Sequence, residues 1–517
     1  MTGSSYLPGA ALYRIEEIRQ IEAAANANLP PGNLMRAAGS AAANLAKRLI
    51  LKQDRKVLIL AGPGNNGGDA LEVAHLLSTA GVDVSVLLCG NVDEYSFDAQ
   101  QSLRRAKASK AKFIDIECLA GFDRERWALV IDGLFGIGLT RAITGQMASL
   151  IQQVNHLSQT YRLPVLALDM PSGLNADTGQ IIGDSGVAVH ATHTITFIGN
   201  KPGLHTAGGK DFCGQVELAD LGISPIFFPP PDAYLSHPHL FSTLVKPRQH
   251  DSNKGSYGDV WIIGGATGMA GAPLLAGRSA IHCGAGRVYV GFIGSPPLFD
   301  SQHPELMCRD ANECAFSTSV VVIGPGLGDT AEAEQLLSRA LSDAMSLVID
   351  ADALNLIAKK SALQTLVQAR CARNAITIMT PHPLEAARLM GVSSKQIQSD
   401  RWKSARDLAK KFNACIILKG AGTITANMNE PLCINTNGNP ALATAGTGDV
   451  LAGICGALLA QHVGQADAAR FAVWLHGAAA DMLVTQGVGP IGLTASELIP
   501  AIRSCMNDFI AESNNGK

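Results

Sequence analysis

The sequence is short of several features that point to particular protein classes. Aromatic residues make up 5% of its 517 residues and charged residues 16%, and the formal net charge is −3. No excess of positive charge therefore favours nucleic acid or an anionic membrane surface as a partner. The uncharged apolar runs are shorter than the roughly 20 residues that a membrane span needs. Because no basic and apolar leader opens the chain, we expect a cytoplasmic protein.

Cysteine pairs are also missing, because the 11 cysteines contain no CxxC motif. This spacing is typical of reduced thiols in a core and argues against a disulfide framework or a zinc site. What is abundant is apolar and small: 47% of the residues are hydrophobic and 53 are glycine. Such a composition is typical of compact α/β domains.

Strand-like runs alternate with helical patterns in both halves, which predicts parallel sheets of the α/β class. The candidate strands lie at 57–61, 82–88, 128–132, 165–169 and 194–198 in the first half, and at 260–264, 288–292, 320–324, 347–350, 376–380 and 415–419 in the second.

The length of the chain exceeds what one hydrophobic core usually serves, so two domains are expected. The segment SPIFFPPPD at 224–232 separates the two strand series, and its three successive prolines exclude a helix or a central strand. We therefore predict a first domain at 1–227, a linker at 228–245 and a second domain at 246–510.

Three polar loops follow candidate strands of the first half: GPGNNGGD at 62–69, DGLFGIGLTR at 132–141 and DMPSGL at 169–174. In open α/β sheets ligands bind at the carboxyl ends of the strands. The glycines allow backbone amides to approach a phosphate, although a purely structural turn is the alternative for the first loop. Asn66, Asp132 and Ser172 offer oxygen ligands to a cation, and Arg141 is a candidate phosphate ligand.

With ITFIGNKPGL at 195–204, these loops resemble the YjeF N-terminal domain, the epimerase of hydrated NAD(P)H, over about residues 10–225. The resemblance implies a Rossmann-like doubly wound sheet and a potassium ion held by Asn66, Asp132 and Ser172. It places Asp169 at the nicotinamide end of the substrate. The residues that it implies for contact with the hydrated dinucleotide are Asn65, Asn66, Gly67, Gly68, Asp69, Gly136, Ile137, Gly138, Leu139, Thr140, Arg141 and Ala142.

Epimerisation requires a proton or hydroxyl to leave C6 of the hydrated ring and return on the other face. Asp169 is the candidate acid/base, with Lys201 as a second candidate. Asp169 as a ribose or amide anchor and Lys201 as a solvated turn residue are the alternatives. The chain departs from the family at Ala70, where glycine is usual; a methyl group in a helical position would cost affinity at most.

The second half contains an apolar, uncharged helix-like stretch preceded by GTGD at 446–449. A helix that begins here presents free backbone amides and the positive end of its dipole to a phosphate. The amides of Gly446, Thr447 and Gly448 are the candidate phosphoryl ligands. Asp449 is repelled by a phosphate, so we interpret it as the base that takes a proton from an attacking hydroxyl.

Further strand-end loops accompany this helix start: GPGLG at 324–328, DADALN at 350–355, TPHPLE at 380–385 and KGAGT at 419–423. Together they resemble the ribokinase-like superfamily and, within it, the YjeF C-terminal domain, the ADP- or ATP-dependent dehydratase of hydrated NAD(P)H, over about residues 245–505. The resemblance implies nucleotide contacts at Lys419, Gly420, Ala421, Gly422, Thr423 and Gly448. It implies contacts to the hydrated cofactor at Ala272, Gly326, His382 and Asp449.

The resemblance as a whole implies a bifunctional repair enzyme whose small-molecule substrates are hydrated NADH or NADPH and ADP, with magnesium at the nucleotide phosphates. The preference for ADP comes from the resemblance alone. A vitamin or sugar kinase fused to a nucleotide-binding module is the first alternative, and a non-catalytic first half is the second. The apolar composition is compatible with a homo-oligomer, which we expect.

Overall fold

The computed structural model describes residues 10–50, 56–115 and 127–515. The chain divides into two compact units, Met1–Ala233 and Tyr234–Lys517. The predicted linker, 228–245, contains a short strand and the 3-10 helix Pro238–Phe241, in which Phe241 is buried. The boundaries of the predicted domains stay a prediction.

Parallel strands form the seven-stranded sheet of the first unit, in the order β4-β3-β2-β5-β6-β7-β8. The strands of this unit are β1 (Ala11–Leu12), β2 (Lys56–Ala61), β3 (Val84–Leu88), β4 (Lys112–Ile114), β5 (Trp127–Gly133), β6 (Val165–Leu168), β7 (His193–Phe197) and β8 (Gln215–Ala219). The chain moves outward from β2 in one direction and resumes at β5 on the other side. A topological switch therefore lies between β2 and β5, where open α/β sheets bind ligands.

The helices of the first unit are α1 (Ile15–Asn26), α2 (Asn33–Leu49), α3 (Asn65–Thr79), α4 (Phe97–Lys107), α5 (Gly145–Tyr161) and α6 (Gly209–Phe212). Helix α3 begins four residues after β2 ends, and its glycines allow it to lie close to its neighbours. A Cβ on Gly67 would clash with the carbonyl of Gly62, and a Cβ on Gly68 would meet Met35. The loop thus directs the N-terminus of α3 to the switch point.

The second unit repeats this plan around a different strand pair. Its strands are β9 (Ala233–Leu235), β10 (Asp259–Gly264), β11 (Arg287–Phe292), β12 (Met307–Asp310), β13 (Val320–Ile323), β14 (Ser346–Ile349), β15 (Ile376–Met379), β16 (Cys415–Leu418), β17 (Ile424–Ala426) and β18 (Leu432–Ile434). Strands β12-β11-β10-β13-β14-β15-β16 are parallel, whereas β17 and β18 add antiparallel pairs beyond β16. The switch point here lies between β10 and β13.

The helices of the second unit are α7 (Gly271–His282), α8 (Ala331–Asp343), α9 (Ala351–Lys359), α10 (Ser361–Ala369), α11 (Pro383–Met390), α12 (Ser394–Ser399), α13 (Arg401–Phe412), α14 (Thr447–Ala460), α15 (Gln465–Thr485) and α16 (Ala495–Asn515). Helix α14 is buried from Val450 to Ala460. A Cβ on Gly453 would clash with the carbonyl of Ala276, and one on Gly456 would meet Val322. Small residues therefore seat α14 against α7 and the sheet, which fixes its N-terminus.

The predicted α/β class is confirmed, and each predicted run coincides with an observed strand to within two residues at either end. These central strands are buried on both faces, so they read as uninterrupted apolar runs.

Candidate active sites

A cavity of about 530 Å³ lies at the switch point of the first unit. The loops after β2 and β5 supply much of its lining, as the sequence predicts. The lining includes the predicted residues Asn65, Asn66, Asp69, Gly136, Ile137, Gly138, Leu139, Thr140, Arg141 and Asp169. Gly67, Gly68 and Ala142 do not line it: the two glycines allow close packing of α3, and Ala142 lies against Gly183.

Asp169 and Lys201 form a buried ion pair at the end of β6. The Lys201 Nζ atom lies 2.5 Å from Asp169 Oδ1, and the lysine side chain is completely buried. Lys201 also donates to Thr196 Oγ1 and to the carbonyl of Phe197, both at 2.8 Å. This geometry excludes a solvated turn lysine. Asp169 adopts a positive φ of 63°, a conformation that is rare outside glycine and is often retained at functional sites.

Only one of the two carboxylate oxygens of Asp169 is held by neighbouring protein groups that the structure describes. Its Oδ1 accepts from Lys201 and, at 3.2 Å, from the amide of Phe197. Its Oδ2 faces the neighbouring loop, where a Cβ on Gly136 would lie 3.6 Å away. A carboxylate with one oxygen held and the other directed to a cavity can accept a proton or anchor a polar group.

The three predicted cation ligands lie at the same edge of the sheet. Asp132 and Ser172 are fully buried, and Asp132 accepts from the amide and the hydroxyl of Ser172 at 2.8 and 2.7 Å. Burial raises the pKa of Asp132 to about 6, against the effect of these hydrogen bonds. Asn66 is 6% exposed, and neither polar atom of its side chain has a partner within the described residues.

A buried amide without partners costs on the order of 1–3 kcal/mol. The orphaned Asn66 and the buried Asp132 therefore fit a cation that binds to oxygen ligands, with potassium as the predicted ion.

Three carboxyl groups that line the cavity, those of Glu22, Asp69 and Asp98, stand outside the predicted catalytic set. Glu22, on α1, lines the cavity with Asp69 and Asp169. Burial and the charge of Asp169 raise the pKa of Glu22, and burial with the charges of Asp169 and Glu22 raises the pKa of Asp69 well above its usual range. The sequence contains no motif that singles out Glu22, because its place at the cavity depends on how α1 packs.

Helix α14 of the second unit begins as the sequence predicts. Gly446 is its N-cap with φ of 88°. The amide of Thr447 is turned toward the carbonyl of Thr444 at 3.5 Å, so it is a poor phosphate donor. The amides of Gly448 and Asp449 have no partner within the described residues and form the exposed end of the helix dipole.

A second lysine–aspartate pair lies opposite this helix end. Lys419 Nζ is 2.9 Å from Asp350 Oδ1, which also accepts from the Thr380 hydroxyl at 2.6 Å. A Cβ on Gly448 would lie 3.3 Å from the Lys419 Nζ atom. The structure thus brings together the ends of β14, β15 and β16 and the start of α14.

Asp449 and Glu385 are carboxyl groups near Lys419 whose pKa values both rise to about 7, chiefly through burial. Burial and the negative charge of Asp350 raise the pKa of Asp449 to about 7, while Lys419 acts in the opposite direction. A general base is most effective when its pKa is close to the working pH. Asp449 therefore has the properties of a base beside an anion site.

The glycine loop at 419–423 is held from beneath by Arg401. The guanidinium is 2% exposed and donates to the carbonyls of Leu418 and Lys419 at 3.1 and 3.2 Å. A Cβ on Gly420 would lie 2.8 Å from it. Gly420 and Ala421 are exposed above this support. The loop is thus supported on one side and open on the other, which suits a nucleotide. No sequence pattern predicts this role of Arg401.

His382 caps helix α11. Its Nδ1 accepts from the amides of Leu384 and Glu385 at 3.1 and 3.3 Å, and its Nε2 lies 3.3 Å from the buried Glu385 carboxylate. Because Nδ1 is the acceptor, the neutral ring carries its proton on Nε2. Burial and the charge of Lys419 lower the pKa of His382. The ring has a structural role, and its contact with a hydrate stays a prediction.

Ala272 and Gly326 meet at the switch point of the second unit. A Cβ on Gly326 would lie 2.9 Å from Met269 Cβ and 3.4 Å from Ala272 Cβ. Met269 also borders a cavity of about 620 Å³ that Asp352, Lys359 and Arg388 help to line. None of the predicted hydrate ligands lines that cavity directly. In the described part of the chain, no three His, Cys, Asp or Glu residues form a group suited to a metal ion.

The two units match two family models. Residues 31–203 match the YjeF-related protein N-terminus, and residues 260–503 match NAD(P)H-hydrate dehydratase. Together these matches define a protein with an epimerase-type first unit and a dehydratase-type second unit.

Curated relatives match nearly the whole chain. The bifunctional NAD(P)H-hydrate repair enzyme Nnr of Coxiella burnetii is 36% identical over 96% of this chain and 99% of its own length. The enzyme of the same name from Escherichia coli is 35% identical over 93% and 91%. The chain belongs to the family of bifunctional NAD(P)H-hydrate repair enzymes.

A solved Bacillus subtilis ADP/ATP-dependent NAD(P)H-hydrate dehydratase, co-crystallised with ATP and Mg²⁺, is 31% identical and covers 53% of this chain and 98% of its own, with a TM-score of 0.47. In the described part of the chain, no helix is both long and apolar enough to cross a membrane.

Proposed function

We propose that this chain interconverts the R and S forms of hydrated NADH and NADPH and dehydrates the S form at the expense of ADP. The observation that carries the proposal is the presence, in one chain of this family, of two separate strand-end sites with different chemistry. One has an ion-paired carboxylate beside a cavity. The other has a carboxyl group with a pKa of about 7 beside a helix N-terminus.

The second unit performs the dehydration. Asp449 takes the proton of the C6 hydroxyl as that oxygen attacks the terminal phosphorus of ADP, and the bond to the bridging oxygen breaks to release AMP. The free amides of Gly448 and Asp449, with Lys419, stabilise the transferring phosphoryl group. The ring nitrogen then donates its electron pair toward C6, phosphate leaves, and loss of a proton from C5 restores the dihydropyridine.

The nucleotide lies on the loop at 419–423, which Arg401 supports from below. Magnesium supplies charge neutralisation at the nucleotide phosphates. Ala272 and Gly326 approach the hydrated ring closely, because both present small surfaces at the switch point. His382 contacts the substrate through its Nε2–H edge.

The first unit performs the epimerisation. The substrate occupies the cavity between the loops after β2 and β5, and Asp169 Oδ2 lies at the reacting ring. Lys201 holds the other oxygen of Asp169 and keeps it in one orientation. Asn66, Asp132 and Ser172 hold potassium, which supplies positive charge near the substrate; the orphaned side chain of Asn66 supports this assignment.

The decisive experiment incubates a mixture of both epimers of hydrated NADH with ADP or with ATP and follows each epimer by chromatography. We expect both epimers to disappear while NADH absorbance and AMP rise together. A stable phosphorylated product without NADH would instead identify a small-molecule kinase. Comparison of ADP with ATP determines the phosphoryl donor.

Cytoplasmic location and a homo-oligomeric state are further parts of the proposal, based on the composition of the sequence. Cell fractionation and light scattering of the purified chain would test them.

A further inference from the structure

Glu22 is a carboxyl group that the proposed epimerisation does not yet use. It lies on α1 and lines the same 530 Å³ cavity as Asp169 and the orphaned Asn66. Within the described residues its carboxyl group has no hydrogen-bond partner. An unpaired carboxyl group that faces a ligand cavity is a candidate for contact with the substrate.

Asp169 accounts for only one of the two proton transfers that epimerisation requires. Its Oδ1 accepts from the fully buried Lys201 at 2.5 Å and from the amide of Phe197. A carboxylate held in this way is a hydrogen-bond acceptor. It can serve one face of the ring, but a hydroxyl that leaves one face while water adds to the other requires a proton-transfer group on each face.

Glu22 has the opposite environment. Burial is the main reason for its raised pKa, and the charge of Asp169 acts in the same direction, while Lys201 and Arg19 oppose it. Other charged groups line the cavity with it, namely Asp69, Asp98 and Arg141. A carboxyl group whose burial favours the protonated form can act as a proton donor.

We propose that Glu22 is a second catalytic carboxyl group, the proton donor of the epimerase site, with Asp169 as its base. This inference rests on the proposed epimerase activity. The Glu22 carboxyl protonates the C6 hydroxyl, the C6–O bond breaks as water leaves, and the ring nitrogen forms a double bond to C6. Water then adds to the other face of C6 and gives a proton to Asp169. No atom is oxidised or reduced, and proton exchange with solvent restores both groups.

The test uses the full-length chain with Glu22→Gln, which preserves shape and removes the acid. Consumption of the R epimer is followed across the whole pH range in which the chain stays folded, with spontaneous exchange subtracted, in the presence of ADP. We expect kcat for epimerisation to fall on the order of 100-fold, with KM within about threefold. The wild-type rate should decline at high pH because the donor must be protonated, and that decline should vanish in Glu22→Gln. Glu22→Asp should restore part of the rate and the decline.

Two controls separate the outcomes. Glu16→Gln changes an exposed carboxylate of the same helix and should leave every rate unchanged. Dehydration of the S epimer, measured in the same preparations, should be normal in all variants, and an unchanged unfolding midpoint of the first unit in urea reports that this unit is folded.

An epimerase rate in Glu22→Gln within twofold of wild type, or an unchanged decline at high pH, would overturn the inference while leaving the proposed function intact. If Asp69→Asn removes the decline instead, the donor is Asp69 and the inference is wrong. If the wild-type chain exchanges no epimers beyond the spontaneous rate, the proposed epimerase function fails and the inference fails with it.

Discussion

The two units use one architectural plan but arrange the reacting carboxylate differently. Each sheet grows outward from a central strand pair, β2 and β5 or β10 and β13, and each unit has a lysine–aspartate pair at strand ends. In the first unit Asp169, the candidate acid/base, is itself the partner of the lysine. In the second, Lys419 pairs with Asp350, and Asp449 stands beside the pair.

In the first unit the lysine holds one oxygen of Asp169 directly. Among the described side chains Asp449 has no such partner lysine: burial together with the negative charge of Asp350 raises its pKa to about 7, while Lys419 acts in the opposite direction. The same pair of residue types thus holds the reacting carboxylate in one unit and, in the other, includes an aspartate whose negative charge helps to raise the pKa of a neighbouring carboxyl group.

The largest effect is expected from Asp449→Asn. Loss of the base should lower kcat for dehydration by roughly 1000-fold and leave epimer exchange unchanged, because the two chemistries reside in different units. The measurement is NADH formation from the S epimer with saturating ADP. Asp343→Asn, an exposed carboxylate at the end of α8, is the matched control. Undiminished dehydration would remove Asp449 from the mechanism.

The pH dependence of dehydration tests how the surroundings of Asp449 set its pKa. A base with a pKa of about 7 is active when deprotonated, so dehydration should rise with pH through about 7 and then level off. Asp350→Asn removes the negative charge that helps to raise this pKa, so the midpoint should move to lower pH. Initial rates across pH 5.5 to 8.5 would show it. An unmoved midpoint would mean that burial alone sets the basicity of Asp449.

The lysine pairs should also differ in stability. Lys201 is completely buried and Asp169 is 13% exposed, whereas Lys419 is 21% exposed. Removing one partner of a buried pair costs on the order of 3–5 kcal/mol. We expect Lys201→Met to lower the unfolding midpoint of the first unit in urea more than Lys419→Met lowers that of the second. Adding Asp169→Asn to Lys201→Met should recover part of the loss; no recovery would show that the lysine acts through packing alone.

The sequence predicts which strand ends form the two sites better than it predicts the buried side chains that hold the site loops in place. Apolar runs mark strands buried on both faces, and glycine loops after them mark the strand ends, so Asp132, Asp169 and Asp350 were located correctly at those ends. The buried Arg401 beneath the nucleotide loop was missed because a single arginine in a polar helix carries no periodic signal. Its role depends on carbonyls 17 and 18 residues away.

Glu22 is a second residue whose role could not be predicted from the sequence. It lines the cavity because of how α1 packs against the rest of the unit. Tertiary packing of this kind cannot be predicted from the local sequence. Phe241 lies in the predicted linker yet is buried in the core, since proline excludes a regular strand but does not prevent a side chain from packing.

Potassium should stabilise the first unit in a pH-dependent way. Burial raises the pKa of Asp132 to about 6, so without the ion its charged form opposes folding. Stability should then be full below the unfolded pKa of about 4 and fall by roughly 3 kcal/mol as the pH rises to 6. A bound cation offsets this loss. We expect the gain in Tm on replacing choline by potassium to be larger at pH 7.5 than at pH 4.5 and to vanish in Asp132→Asn. An equal gain at both pH values would argue against Asp132 as a ligand.

The smallest effect concerns Ala70, where the chain departs from the family. Ala70 lies within α3, is fully buried, and its methyl group faces Gly133, because a Cβ on Gly133 would lie 2.5 Å from it. Glycine in a helix interior costs about 0.5–1 kcal/mol relative to alanine, and the lost methyl adds about 0.8 kcal/mol. Ala70→Gly should therefore lower the Tm of the first unit by a few degrees and change KM for epimerisation less than about twofold. A gain in affinity of tenfold or more would mean that the methyl narrows the substrate loop after all.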